Sequence, residues 1–193
     1  MWLYSMAKAL LSFVTGILWR KEVKGNLQFP EGGFLLCSNH FSNWDPVILA
    51  CSFPRQVHFM GKEELFANSL MNKLLLKLGM VKVKRGMSDR KAMREIINYL
   101  SSGEVCGLFP EGHRSEDGEL QGFFSGAVYL AIKGGVPILP AAIKGDYHKK
   151  GSKIVVKFGE PIVIPKGSDA DKDVLEYWTK ELSLQITQLL EEN

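Results

Sequence analysis

The stretch Phe34-Leu35-Leu36-Cys37-Ser38-Asn39-His40-Phe41-Ser42-Asn43-Trp44-Asp45-Pro46-Val47-Ile48-Leu49-Ala50-Cys51 changes character twice. An apolar run of strand length gives way to turn-prone residues at 39–45, and an apolar segment headed by Pro46 follows. Read as strand, loop and helix, it is one unit of an α/β fold with polar residues at the end of a buried strand. Within the loop, His40 and Asp45 stand five positions apart. An imidazole oriented by a carboxylate is a general base suited to neutral pH. No obvious protein nucleophile accompanies it, so the substrate's own hydroxyl is the candidate.

The same alternation runs outward in both directions. Strands are expected at 23–27, 33–38, 57–60, 81–84, 105–109, 138–143 and 154–158, and helices at 46–51, 63–78, 88–100 and 125–133. The helix at 88–100 carries Met93, Ile96, Ile97 and Leu100 on one face and stops at Gly103. A last helix is expected to open at Ser168, with Asp171 at capping-box spacing and Leu175, Trp178, Leu182, Ile186 and Leu189 as its core stripe. Helical connections between hydrophobic strands favour a single α/β domain: a mixed, mostly parallel sheet flanked by helices, with sites on loops at one end of the strands.

A chain of 193 residues, 46% hydrophobic and 23% charged, can bury one sizeable core without disulfides. Lys plus Arg number 24 against 21 acids, so the net charge of +3 gives no global field, and attraction to anions must come from local clusters. The basic residues are not interleaved with aromatics, which argues against nucleic acid as a partner. Cys37, Cys51 and Cys106 lack metal-ligand spacing and sit among apolar neighbours, as thiols do in a reducing cytoplasm. No metal-ligand set is visible.

Residues 1–19 approach the length of a membrane span but carry Lys8 in the middle. At helical spacing Leu3, Met6, Leu10, Phe13, Val14 and Ile17 fall on one side, against a polar stripe of Ser5, Lys8, Ser12 and Thr15. With Trp2, Tyr4 and Trp19 near its ends and Arg20-Lys21 after it, this amphipathic helix suits the headgroup layer of a membrane. The alternatives are a helix packed on the protein's own core, a true span or an uncleaved signal. The expected division is a membrane-associating helix at 1–20 and an α/β domain at 21–193.

A second polar loop, Pro110-Glu111-Gly112-His113-Arg114-Ser115, follows the apolar strand at 105–109. Arg114 can fork onto a phosphate, and Gly112 lets backbone N–H groups approach an anion. Lys82-Val83-Lys84-Arg85-Gly86 and Gly61-Lys62-Glu63-Glu64-Leu65 end two further strands. Each has a plainer reading: Asp45-Pro46 as a helix cap, the second loop as an exposed charged turn, and the alternating cations as a solvated face.

Taken in order, these segments resemble the glycerolipid acyltransferase family, specifically the bacterial 1-acylglycerol-3-phosphate acyltransferases. The matching blocks are His40 with Asp45 as the HxxxxD box, Gly61–Leu65 with Lys84-Arg85-Gly86, Phe109 through Ser115, and Val136-Pro137-Ile138-Leu139-Pro140, a motif core at 34–143. The resemblance implies a cytoplasmic-face, peripheral or monotopic membrane enzyme that moves an acyl group from acyl-CoA or acyl carrier protein to the sn-2 hydroxyl of lysophosphatidic acid, giving phosphatidic acid without a cofactor. His40 and Asp45 would be catalytic, with Lys84, Arg85, Glu111, Gly112 and Arg114 binding substrate. His113 and Ser125 depart from the family pattern, which has a small polar residue and often a lysine there. Glycerol 3-phosphate or another lyso-lipid is the alternative acceptor. A serine hydrolase using Ser42 or Ser115, and a non-catalytic lipid-binding module, are the readings from other classes.

Overall fold

A computed structural model of the chain describes residues 2–84, 89–115 and 118–192. The elements run α1 (Trp2–Leu18), β1 (Arg20–Gly25), β2 (Phe34–Ser38), α2 (Asp45–Ser52), β3 (Val57–Lys62), a 3₁₀ turn (Glu63–Phe66), α3 (Ser69–Lys77) and β4 (Val81–Val83). They continue with α4 (Arg90–Ser101), β5 (Val105–Leu108), α5 (Gly126–Gly134), β6 (Ile138–Gly145), β7 (Lys153–Phe158) and α6 (Lys172–Glu191). The strands form one sheet in the order β1-β7-β6-β2-β5-β3-β4, parallel at each pairing except the β6–β7 hairpin. This is the single, mostly parallel α/β domain that the alternating pattern predicts.

β2 is fully buried at the centre, and its side chains divide between two cores. Phe34 and Leu36 join Ile48, Leu49 and Phe53 on one face, whereas Leu35 and Cys37 join Ile96, Leu100, Val128, Leu182 and Ile186 on the other. A strand's period of two produces this split. Burial of each such side chain is worth about 1.5–3 kcal/mol, so a one-residue slip that exchanged the two sets would be costly. Burial also pushes the Cys106 thiol up to about 12, keeping it protonated and inert.

The chain leaves β2 for α2 on the first face and leaves neighbouring β5 for α5 on the second. Connections that diverge from adjacent parallel strands open a crevice at the strands' carboxyl ends. The loops carrying His40 and Glu111 both begin there.

Two helices differ from expectation. The stretch 63–78 splits into the 3₁₀ turn and α3, because the Asn68 side chain accepts the N–H groups of Leu70 and Met71 and starts a new helix. α6 begins at Lys172 rather than after Ser168: Asp171 is the cap, accepting Val174 N–H at 2.9 Å, while the Ser168 hydroxyl turns to Pro165 O. The stripe from Leu175 to Leu189 does face the core.

α1 lies against α2 with Lys8, Ser12 and Thr15 of its polar stripe turned inward and Ser5 exposed. Thr15 is buried, Lys8 Nζ donates to Phe53 O, and Tyr4 Oη accepts Val57 N–H at 3.2 Å. Trp2, Met6, Leu10, Phe13 and Ile17 point outward, each more than half exposed. Among the described residues no helix is long and apolar enough to cross a membrane.

Candidate active site

β2 ends at Ser38, and the side chain of Asn39 continues the sheet in place of a strand: it donates to Ile143 O and accepts from Ile143 N–H at 2.8 Å, tying the loop to β6. His40 then turns back towards α2. Its Nδ1 lies 2.8 Å from Asp45 Oδ2, which also accepts the N–H groups of Phe41 and Ser42 at 2.7 Å each. The carboxylate has no exposed surface. It does not cap α2: Trp44 occupies the cap position without a side-chain bond, and Oδ2 of Asp45 is spent on the loop before it.

A carboxylate accepting from Nδ1–H leaves Nε2 on the far side of the ring with its lone pair free to take a proton. The ring is 17% exposed and stacks on Phe109 with centroids 4.0 Å apart, which fixes its plane. Phe109 comes from the β5 loop. That loop also clasps the His40 peptide from both sides: Glu111 Oε1 accepts His40 N–H at 2.6 Å, and Ser115 N–H donates to His40 O at 2.8 Å.

Glu111 itself is sealed. Its second oxygen accepts Gln121 N–H at 2.9 Å and the residue has no exposed surface, so it shapes the crevice and does not face a ligand. Burial holds its carboxyl above the usual range against the opposing pull of those two N–H groups. Gly112 has φ +71°, a backbone conformation that disfavours any side chain, and the Phe124 ring stands 3.1 Å from where a Cβ would be. Its own N–H is committed to Phe109 O at 3.0 Å and is not offered to an anion.

Arg114 is exposed, one residue before the Ser115 that holds His40 O, and lines a cavity of about 540 Å³ with Ser42, Asn43, Tyr147 and His148. The second block is brought to the same end of the sheet but not to the same place. β4 is separated from β2 by β5 and β3, about 14 Å at roughly 4.8 Å per strand. Lys84 is exposed there with its N–H on Asp89, and Lys82 of β4 pairs with Glu63 after β3 at 3.0 Å. Arg85 lies outside the described residues. Among the described residues no cluster of three or more His, Cys, Asp or Glu is placed to hold a metal ion.

The sequence reading passed over Tyr147. Its hydroxyl donates to Asp45 Oδ1 at 2.9 Å, and its ring contacts Trp19 and Phe41 at centroid distances of 5.1 and 5.2 Å. The available signal was topological: Tyr147 follows β6, whose carboxyl end lies beside that of β2.

Known proteins resemble this chain in sequence and fold. The acyltransferase family model matches residues 20–144. A 1-acyl-sn-glycerol-3-phosphate acyltransferase of Bacillus subtilis is 35% identical over 164 residues, covering 80% of this chain and 78% of its own. One of Borreliella burgdorferi is 26% identical over 189 residues, covering 90% and 74%. The crystal structure of PlsC, the 1-acyl-sn-glycerophosphate acyltransferase of Thermotoga maritima, superposes with a TM-score of 0.77 at 27% identity over 98% of this chain and 82% of that one. A match that takes in the β2 loop, the β5 loop and the crevice between them makes this chain a member of the acyltransferase family.

Proposed function

We propose that the protein transfers a fatty acyl group from an acyl thioester, acyl-CoA or acyl carrier protein, to the sn-2 hydroxyl of lysophosphatidic acid, giving phosphatidic acid at a membrane surface. The observation that carries this reading is the His40–Asp45 contact at 2.8 Å, with an exposed Arg114 on the β5 loop that grips the His40 backbone. Relatives that span most of this chain are named for that acceptor.

In this mechanism Nε2 of His40 removes the hydroxyl proton as the oxygen attacks the thioester carbonyl. The tetrahedral intermediate collapses with cleavage of the C–S bond, and the imidazolium returns its proton to the departing thiolate. Asp45 keeps the ring in the required tautomer and stabilises its charged form. A thiolate is a good leaving group, with a conjugate-acid pKa of about 8.5, so one base suffices. General-base catalysis supplies about 10²–10⁴-fold, and alignment of hydroxyl with carbonyl supplies much of the remainder. Arg114 is the residue best placed for the acceptor phosphate. The outward apolar stripe of α1 suits a bilayer, which spares the cost of lifting an acyl chain into water at about 0.8 kcal/mol per methylene.

The test is thiol release from an acyl thioester with and without lysophosphatidic acid. Release should require the acceptor, yield phosphatidic acid and fall about 10²–10⁴-fold in His40→Ala. Release without acceptor identifies a hydrolase, and lipid binding without any release identifies a non-catalytic module.

A further inference from the structure

α3 buries none of its residues. Leu70 is 76% exposed, and Leu74 and Lys77 follow it at i+4 and i+7 on the same side, flanked by exposed Met71 and Lys73. Leu65, in the preceding 3₁₀ turn, is 53% exposed. No acid lies within α3; of the two in the turn before it, Glu63 is engaged by Lys82, leaving Glu64 against Lys62, Lys73 and Lys77.

The position of this surface follows from topology. β2 to β3 and β3 to β4 are parallel crossovers that move in the same direction across the sheet. Right-handed crossovers therefore place α3 on the face that α2 covers, the face on which α1 also lies. α3 follows the carboxyl end of β3, so it starts near the rim that carries His40.

We propose that the 3₁₀ turn and α3 form a second lipid-contact surface, which seats Leu65, Leu70, Met71 and Leu74 in an anionic bilayer with Lys73 and Lys77 at the lipid phosphates. Exposed leucines interspersed with cations match a partner that offers hydrocarbon and negative charge together. The proposal rests on the reading of the enzyme as acting on a bilayer-borne acceptor. With α1 on the same face, it supplies contacts on two separate elements, enough to fix the tilt of the catalytic rim over the membrane.

The test uses the full chain and vesicles of phosphatidylcholine with phosphatidylglycerol. Lys73→Gln/Lys77→Gln should lower partition by roughly 30-fold, equivalent to about 2 kcal/mol at 1 kcal/mol per surface lysine. Leu70→Gln/Leu74→Gln should lower it at least as much, with unchanged melting temperature because neither side chain is buried. On pure phosphatidylcholine the lysine pair should make no difference. A fluorophore on Leu70→Cys, in a Cys51→Ser background, should be quenched by nitroxide lipid, whereas one on Lys180→Cys of α6 should not.

Unchanged partition in both double variants, or equal quenching at the two positions, overturns the proposal, as does a concentration-dependent dimer that Leu70→Gln/Leu74→Gln abolishes while partition is unaffected. Acyl transfer to a short-chain, water-soluble lyso acceptor separates the two readings. Its absence in the wild type sinks the proposed reaction and leaves the lipid surface standing, and its presence with unchanged partition does the reverse.

Discussion

The phenol of Tyr147 and the carboxylate of Asp45, 102 residues apart in sequence, meet at 2.9 Å beneath the loop between β2 and α2. Oδ1 of Asp45 is taken by this hydroxyl while Oδ2 takes His40 Nδ1 and two backbone N–H groups. Burial, and then the Asp45 charge, hold the Tyr147 phenol above its ordinary range, so it stays protonated and donates throughout the working pH range.

Tyr147→Phe removes one partner that shares the Asp45 charge. The buried Oδ1 is then left without its donor, which should cost about 1–3 kcal/mol of stability in urea unfolding. Unfolding that superposes on the wild type would show the phenol to be packing only.

Glu111→Gln places an amide NH2 against one of two backbone N–H groups, His40 or Gln121, and the unmet donor should cost about 1–3 kcal/mol of stability. There is a pH signature as well. Because the folded carboxyl is raised above its ordinary 4.5, its contribution to stability is complete below that value and declines as pH rises through the folded one. Urea unfolding across the acid range should show this slope in the wild type and lose it in the variant.

Arg114→Ala should raise KM for the lyso acceptor by roughly 10–100-fold, the worth of a charge-assisted hydrogen bond, and leave KM for the thioester nearly unchanged. Initial rates with each substrate varied in turn measure the split. Equal effects on both constants would move Arg114 out of the phosphate site.

Leu10→Gln/Phe13→Gln changes two outward positions on α1, 63% and 68% exposed, without touching the inward contacts of Tyr4, Lys8 and Thr15. Vesicle sedimentation should fall about tenfold or more while the thermal midpoint holds, since about 1.5–3 kcal/mol attends each large apolar side chain removed from water. Sedimentation equal to wild type would argue that α1 serves the fold alone.

Much of this protein was legible from local pattern. A strand's period of two and a helix's of 3.6 mark which side of each element is apolar, so the strands, the α/β class and the core stripe of α6 follow from residues close in sequence. His40 and Asp45 also meet within one short loop, where chain geometry alone keeps them near each other. The sequence determined these features because the interactions responsible are local.

The tertiary structure decided everything that depends on which strands are neighbours. Placing β6 beside β2 delivers Tyr147 to Asp45, and interposing β5 and β3 holds Lys84 away from His40. α1 shows the same limit: its periodicity defines an apolar side and a polar side, yet only the docked helix reveals that the polar side faces the protein. Periodicity records contrast between faces, and the partner each face meets is set by long-range packing that no local window contains.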